Sequence, residues 1–375
     1  MQPLKVHMNP TKLYRYRTDA IEGGNRESHY MAVVNEVEKR PGLKVTPSVA
    51  GHDERRRLWM MMLIRRFEER TYQEYTKPGQ RIGGFCHLYS GQEALAVGVA
   101  AIFQKGKDYL FNGYRDHGHS LALGMDPKPA MAELFGRTTG CSKGKGGSMH
   151  FFQAEVGNMG GHGIVGAHIP LGAGAAFACK YKKTGGVCFT LFGDGAVNQG
   201  THNEALNLAS LLKLPVIFII ENNGLAMGTQ VARHSAEKDL SKRGLGYAMP
   251  TKSIDGNDVD VVISEMKAAA DYCRAGNGPM YICANTYRFR GHSMSDPLKY
   301  RTKEEAEKAR LRDPITIYEH RLREKGALDD ATFEEMENEV ATIVNEAVQF
   351  ADQSPHPDVS EMYKDVLAEK YPLQK

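Results

Sequence analysis

The chain is short of the features that define whole classes of protein. It has one tryptophan among 375 residues, and its six cysteines (86, 141, 179, 188, 273 and 283) form neither a CxxC pair nor a zinc spacing. That excludes a disulfide scaffold and a zinc module. Several cysteines sit in apolar surroundings, as in Val187-Cys188-Phe189 and Ile282-Cys283-Ala284, where the thiol serves as a small buried hydrophobe. Charge of one sign is not in excess either. Lys plus Arg number 48 and Asp plus Glu 45, a net charge of +3, too balanced for a nucleic-acid or membrane-surface binder. Apolar runs such as Leu214 to Ile220 fall far short of the ~20 residues that a membrane span needs. Met1 to Asp19 has basic residues but no apolar centre, so it is not a secretory signal. It also lacks acidic residues before Asp19, as a mitochondrial presequence would, but it is poor in serine. A bacterial cytoplasm is the expected compartment, with the mitochondrial matrix as the alternative.

What is present reads as a large α/β enzyme. Residues 1 to about 50 carry no sustained periodicity and end in Pro41, Gly42 and Pro47, which reads as an arm. A helical run follows from Asp53 to Tyr75, with its methionines as packing residues. From Gly79 to about Arg290 glycine is abundant, and short apolar runs alternate with helical segments. Val187–Phe192, Val216–Ile220 and Met280–Thr286 read as buried strands. Gln199–Leu212 reads as a helix joining the first two, so these three elements form a right-handed βαβ unit of a parallel sheet. A further helix is expected over Val259–Arg274. Beyond Pro297 glycine nearly vanishes and charge rises. Helices over Lys303–Arg312 and Ala331–Ala351, the latter with a stripe of Val340, Ile343, Val344, Ala347 and Phe350, make an extension packed on the core. The expected divisions are 1–50, 51–300 and 301–375.

Chemistry concentrates where the buried strands end. Gly193–Gly200 (GDGAVNQG) directly follows the first, and Glu221–Gly224 (ENNG) directly follows the second. Parallel strands deliver both segments to the same carboxyl edge, where open α/β sheets bind ligands. An Asp carboxylate and an Asn carbonyl there are hard oxygen donors suited to Mg²⁺. Gly193 and Gly195 let backbone amides approach a phosphate, with the N-terminus of the next helix behind them. A phosphate-binding loop at Gly140–Lys145 fails, because Thr139 and Gly146 stand where Gly and Ser or Thr belong. A dinucleotide fingerprint at Gly172–Phe177 fails at Phe177.

GDGAVNQG followed by ENN resembles the thiamine-diphosphate motif. The likeness extends to Gly84–Ala94 (GFCHLYSGQEA), Tyr114–Gly118 (YRDHG), Gly144–His150 (GKGGSMH), Gly163–Ala167 (GIVGA), Pro170–Gly174 (PLGAG) and Arg290–Pro297 (RGHSMSDP). Together, from about residue 50 to 353, these resemble the alpha subunits of the pyruvate dehydrogenase first component in its two-chain form. The resemblance implies a thiamine-diphosphate-binding α/β fold and oxidative decarboxylation of pyruvate, with transfer of the acetyl group to a lipoyl group. Alpha subunits for branched-chain 2-oxo acids or acetoin are the nearest alternatives, and a non-catalytic scaffold subunit a more distant one.

Carried onto this chain, the resemblance implies Mg²⁺ on Asp194 and Asn223 side chains and the Leu225 carbonyl. It sets Gly195 and Ala196 against the diphosphate, and Tyr114, Arg115 and Arg288 in the same anionic region. Gly163 and Val165 would bond the aminopyrimidine, with the Val165 side chain supporting the bent cofactor. His87 and His292 would stand over the thiazolium as catalytic residues, imidazoles able to exchange protons near neutrality. His117, His119, His150 and His162 are weaker candidates. The glutamate that activates the cofactor would come from a beta chain, which makes a beta subunit, in an alpha-beta heterotetramer, a requirement. A lipoyl-bearing transacetylase core would be the further partner. A serine matching Ser293 is phosphorylated in mitochondrial relatives. In this chain it reads as a polar residue of a mobile loop, and Arg290 departs from the His of the mitochondrial form.

Overall fold

A computed structural model describes residues 54–366; the expected arm over residues 1–50 lies outside the described residues. Helix α1 (Glu54–Thr76) opens the described chain within a residue of the expected start. Its Leu58–Ile64 stretch is buried on every side, so the methionines are packing residues at the centre of one core. Then come α2 (Glu93–Ala100), β1 (Tyr109–Gly113), α3 (His117–Ala122), α4 (Pro127–Leu134), β2 (Asn158–His162) and α5 (His168–Lys182). The expected βαβ unit is β3 (Cys188–Gly193), α6 (Gly200–Leu211) and β4 (Val216–Asn222). The two-residue strands β5 (Leu225–Ala226) and β6 (Thr229–Gln230) form a small hairpin before α7 (Val231–His234). Next are β7 (Thr251–Asp255), α8 (Val259–Arg274) and β8 (Met280–Asn285). The chain continues through α9 (Lys303–Arg310), α10 (Pro314–Glu324) and α11 (Asp330–Gln353).

Six strands form one parallel sheet in the order β2-β1-β3-β4-β8-β7. Side chains alternate across it. Phe189, Leu191, Ile217, Ile219 and Ile282 face a core completed by α1, α2 and α8, whereas Cys188, Phe192, Val216, Phe218 and Ile220 face α5 and α6. The fold is therefore the α/β class expected, a parallel sheet flanked by helices. Helix α5 comes so near the sheet that a Cβ at Gly172 would lie 2.1 Å from Thr190 Oγ1, which explains glycine there. Helix starts are set by capping side chains: Asp258 accepts the Asp260 and Val261 N–H groups at α8, and Thr302 with Glu305 forms a capping box at α9. Helix α11 packs along α4 and α1, burying Met336, Val340, Val344, Ala347, Val348 and Ala351. Among the described residues no helix is long and apolar enough to cross a membrane.

Register places the site. Gly193 pairs with Glu221, Asn222 with Asn285, and Gly113 with His162, so five strands end level at one edge. The residues just beyond those ends are Tyr114 and Arg115, Gly163 to Val165, Asp194 to Ala196, Asn223 to Leu225, and Thr286 to Arg288.

Candidate active site

Those segments surround a cavity of about 950 Å³. The twelve leading candidates from sequence all line it: Tyr114, Arg115, Gly163, Val165, Asp194, Gly195, Ala196, Asn223, Leu225 and Arg288 from the strand ends, with His87 and His292 beside them. The two rejected phosphate motifs lie elsewhere. Gly172–Phe177 is internal to α5, and Gly140–Gly147 wraps around the Glu133 carboxylate.

One corner collects oxygen donors. Asp194 is 1% exposed and its Oδ2 has no hydrogen-bond partner, an unusual state for a buried carboxylate. Burial pushes its pKa up, opposed by His234 nearby. Asn223 donates Nδ2–H to Gln92 Oε1 at 3.1 Å and accepts the Leu225 N–H on Oδ1 at 3.3 Å, a tight turn with Gly224 at φ +80°. The buried Asp194 carboxylate and the half-buried Asn223 amide oxygen, joined by the lining Leu225 segment, fit a small hard cation. The expected helix begins at Gly200, one residue from the expected Gln199, after a 3-10 turn over Asp194–Asn198 and an extended Gln199. The Gly195 and Ala196 amides therefore belong to that turn.

On the opposite wall, the His87 and His292 rings meet edge-on with centroids 5.2 Å apart, and Tyr114 lies 4.6 Å from His87 and 5.6 Å from His292. Arg115 joins the segments that carry the two histidines. Its guanidinium donates to the Leu88 carbonyl at 2.5 Å and to the His292 carbonyl at 2.8 Å. Arg288 is buried and donates to the Arg290 and Met227 carbonyls and to Tyr300 Oη. Burial, with Arg115 and then His292 adding repulsion, pushes His87 down to about 2; burial, Arg115 and Arg288 push His292 down to about 4. Both imidazoles thus favour the neutral form near pH 7, each with one N–H and one lone pair.

The dehydrogenase E1 component family model matches residues 59–360. The chain belongs to that family. It is similar to the alpha subunit of the pyruvate dehydrogenase E1 component of Rhizobium meliloti strain 1021, at 51% identity over 308 residues (82% of this chain, 88% of the relative). It is also similar to that of Zymomonas mobilis subsp. mobilis, at 49% over 312 residues (83% and 87%). The somatic, mitochondrial form from Bos taurus is 44% identical over 323 residues (86% and 81%).

Within this E1 chain the weaker histidine candidates separate. His117 is fully buried between Glu68 (3.0 Å) and Ser148, and His119 between Glu221 (2.8 Å) and Tyr89 (3.0 Å). His150 bonds the Gly161 carbonyl. Only His162 of these four lines the cavity, stacked between Phe111 and His168. Sequence reasoning missed Gln92, Glu221, His168 and His234. Gln92 and Glu221 sit inside the quoted GQEA and ENNG strings, so position was a usable signal for them. Ser293 lines the cavity and its Oγ meets Ser295 Oγ at 3.0 Å. Its loop is tied down by Met294 N–H to the Cys86 carbonyl and by His292 N–H to Asp296 Oδ2.

Proposed function

We propose that this chain is the alpha subunit of a pyruvate dehydrogenase first component, dependent on thiamine diphosphate and Mg²⁺. It oxidatively decarboxylates pyruvate and passes the acetyl group to a lipoyl group of a transacetylase core. The observation that carries the reading is the single cavity lined by all twelve residues expected from the family motifs. Bound thiamine diphosphate supplies electron-sink chemistry at its thiazolium ring. Asp194, Asn223 and the Leu225 carbonyl hold Mg²⁺, and the Gly195 and Ala196 amides take the diphosphate. Tyr114, Arg115 and Arg288 make that end anion-attracting. Gly163 and Val165 hold the aminopyrimidine by backbone groups. His87 and His292, as the catalytic residues, would each offer one N–H and one lone pair to hydrogen-bond the substrate.

A beta subunit completes the site, in an alpha-beta heterotetramer of a bacterial cytoplasm. The lining supports a partner chain: Phe85, Val165 and Met227 are apolar yet 65%, 43% and 64% exposed, and Ile164 beside Val165 is 75% exposed. Solvent-facing apolar clusters of this kind mark partner surfaces. We take residues 51–300 as the cofactor-binding domain and 301–375 as its helical extension, 51–53 and 367–375 lying outside the described residues.

The test is turnover by the native complex, supplied with thiamine diphosphate, Mg²⁺ and an artificial electron acceptor. Pyruvate should drive reduction better than 2-oxoisovalerate or acetoin. Asp194→Ala should abolish Mg²⁺-dependent cofactor retention, and His292→Ala should spare retention while impairing acetyl transfer to lipoyl. Preference for another donor corrects the substrate; an intact complex that turns over none of the three overturns the enzyme reading.

A further inference from the structure

His234 belongs to no motif, yet it closes the metal corner from behind. After Asn223 the chain makes the β5–β6 hairpin and then α7, which lies against the 194–198 turn. There His234 Nε2 stands 3.5 Å from Asp194 Oδ2. Both atoms are sealed from solvent and neither has a hydrogen-bond partner. The gap is about 0.5 Å longer than an N–H···O bond.

Neighbouring groups decide which ring nitrogen carries the proton. Asn198 Oδ1 accepts from the Arg243 guanidinium at 2.9 Å, so its NH₂ faces the other way. That NH₂ donates to the His234 carbonyl and to His234 Nδ1, both at 3.0 Å. Ser235 Oγ, which accepts from Arg243 at 3.3 Å, also meets Nδ1 at 3.0 Å and can turn its O–H to it. With the Asn198 NH₂ facing it as well, Nδ1 is the acceptor, and the ring proton sits on Nε2, aimed at Asp194. An Nε2–H cannot ligate a cation, but it can fix a carboxylate that does.

We propose that His234 is the positioning residue for Asp194: its Nε2–H bonds Oδ2 and leaves Oδ1 to the cation, while Asn198 and Arg243 lock the ring. The inference rests on reading this corner as the Mg²⁺–diphosphate site. Removing the partner of a ligating group typically lowers metal affinity 10–100-fold.

The experiment uses the assembled two-chain enzyme, stripped of metal, with Mn²⁺ as probe and saturating thiamine diphosphate; free Mn²⁺ is counted by electron paramagnetic resonance. His234→Ala should raise the Mn²⁺ Kd roughly tenfold or more. His234→Gln, whose terminal amide offers an N–H near the Nε2 position, should recover most of that loss. The melting temperature of the metal-free complex should match wild type. An unchanged Kd in His234→Ala overturns the proposal, as does an equal loss in the Gln variant. So does a metal-free complex that melts lower in step with the lost affinity, since that marks a structural role. Wild-type enzyme that binds no Mn²⁺ with the cofactor sinks the underlying site reading and this inference with it, which separates the two failures.

Discussion

Glu133→Gln probes how the wall behind His87 is built. The Glu133 carboxylate, buried on α4, accepts four backbone N–H groups of the 137–150 loop. Ser142 and Gly144 reach Oε2, each at 2.8 Å, while Gly146 and Gly147 reach Oε1 at 2.6 and 3.1 Å. The same loop carries Ser148, whose Oγ accepts the His87 N–H at 3.3 Å, and Met149, which lines the cavity. Glutamine keeps the shape but has one acceptor oxygen, so two of the four amides must face an NH₂. Two orphaned donors cost about 1–3 kcal/mol each. The two surviving bonds lose roughly half their strength with the charge. If the loop stayed in place the loss would be roughly 4–9 kcal/mol. The loop has a cheaper route, because opening lets water hydrate all four amides, so the change shows as local unfolding. A loss of about 3 kcal/mol corresponds to roughly 100-fold less protection. Hydrogen exchange by mass spectrometry on the assembled complex should show this in peptides covering 142–147, with β3 and β4 unaffected. Wild-type protection of those amides would refute the reasoning. Equal loss across the sheet would show that Glu133 supports the whole fold rather than this loop.

Two further outcomes follow from packing and from burial. Gly172→Ala forces a Cβ to within 2.1 Å of Thr190 Oγ1 and should cost about 1–3 kcal/mol; adding Thr190→Ala should recover part of it, leaving a coupling energy of about 1 kcal/mol in a denaturant-based double-mutant cycle. Strictly additive losses would contradict the close approach of α5 to β3. His202, buried and bonded to Tyr281 Oη at 2.8 Å, is pushed down to about 4 by burial. A depressed histidine lets the unfolded chain bind the proton first, so its stabilising share is complete above pH ~6.5 and is lost as pH falls towards 4. The stability difference between wild type and His202→Gln should therefore fall by up to about 1.4 kcal/mol per pH unit across that window, about 3 kcal/mol in all. A difference that stays flat with pH would refute the assignment.

The elements legible in the sequence are those whose own residues specify them. Strands β3, β4 and β8 are continuous apolar runs, as strands buried on both faces must be, and α8 begins at its Asp258 cap. Strand β2 was not legible, because Asn-Met-Gly-Gly-His has little intrinsic strand preference. It is a strand because β1 supplies a parallel partner, with an irregular register between Leu110 and Asn112. Helix α5 was hidden by Pro170, Gly172 and Gly174, which read as loop in sequence, although Gly172 serves close packing in space. Helix α10, capped by Asp313 with Pro314 at its start, was lost in the charged tail although it buries Tyr318 and Leu322.

Site residues became legible for a topological reason. Parallel strands all point the same way, so whatever follows each one arrives at a common edge. Five strand ends supply ten of the twelve expected residues, while β7, at the margin of the sheet, supplies none. Arg115 then ties the segments carrying the other two, His87 and His292, into the same wall. What this rule cannot reach are residues that act on the edge from elsewhere. Gln92 precedes α2 and holds the Asn223 amide; His234 ends a helix of one turn and faces Asp194. Neither follows a sheet strand, and each acquires its role only when a separate segment folds back over the strand ends. The motifs therefore mark groups suited to touch cofactor and substrate, and the groups that aim them have to be found through their hydrogen-bond partners.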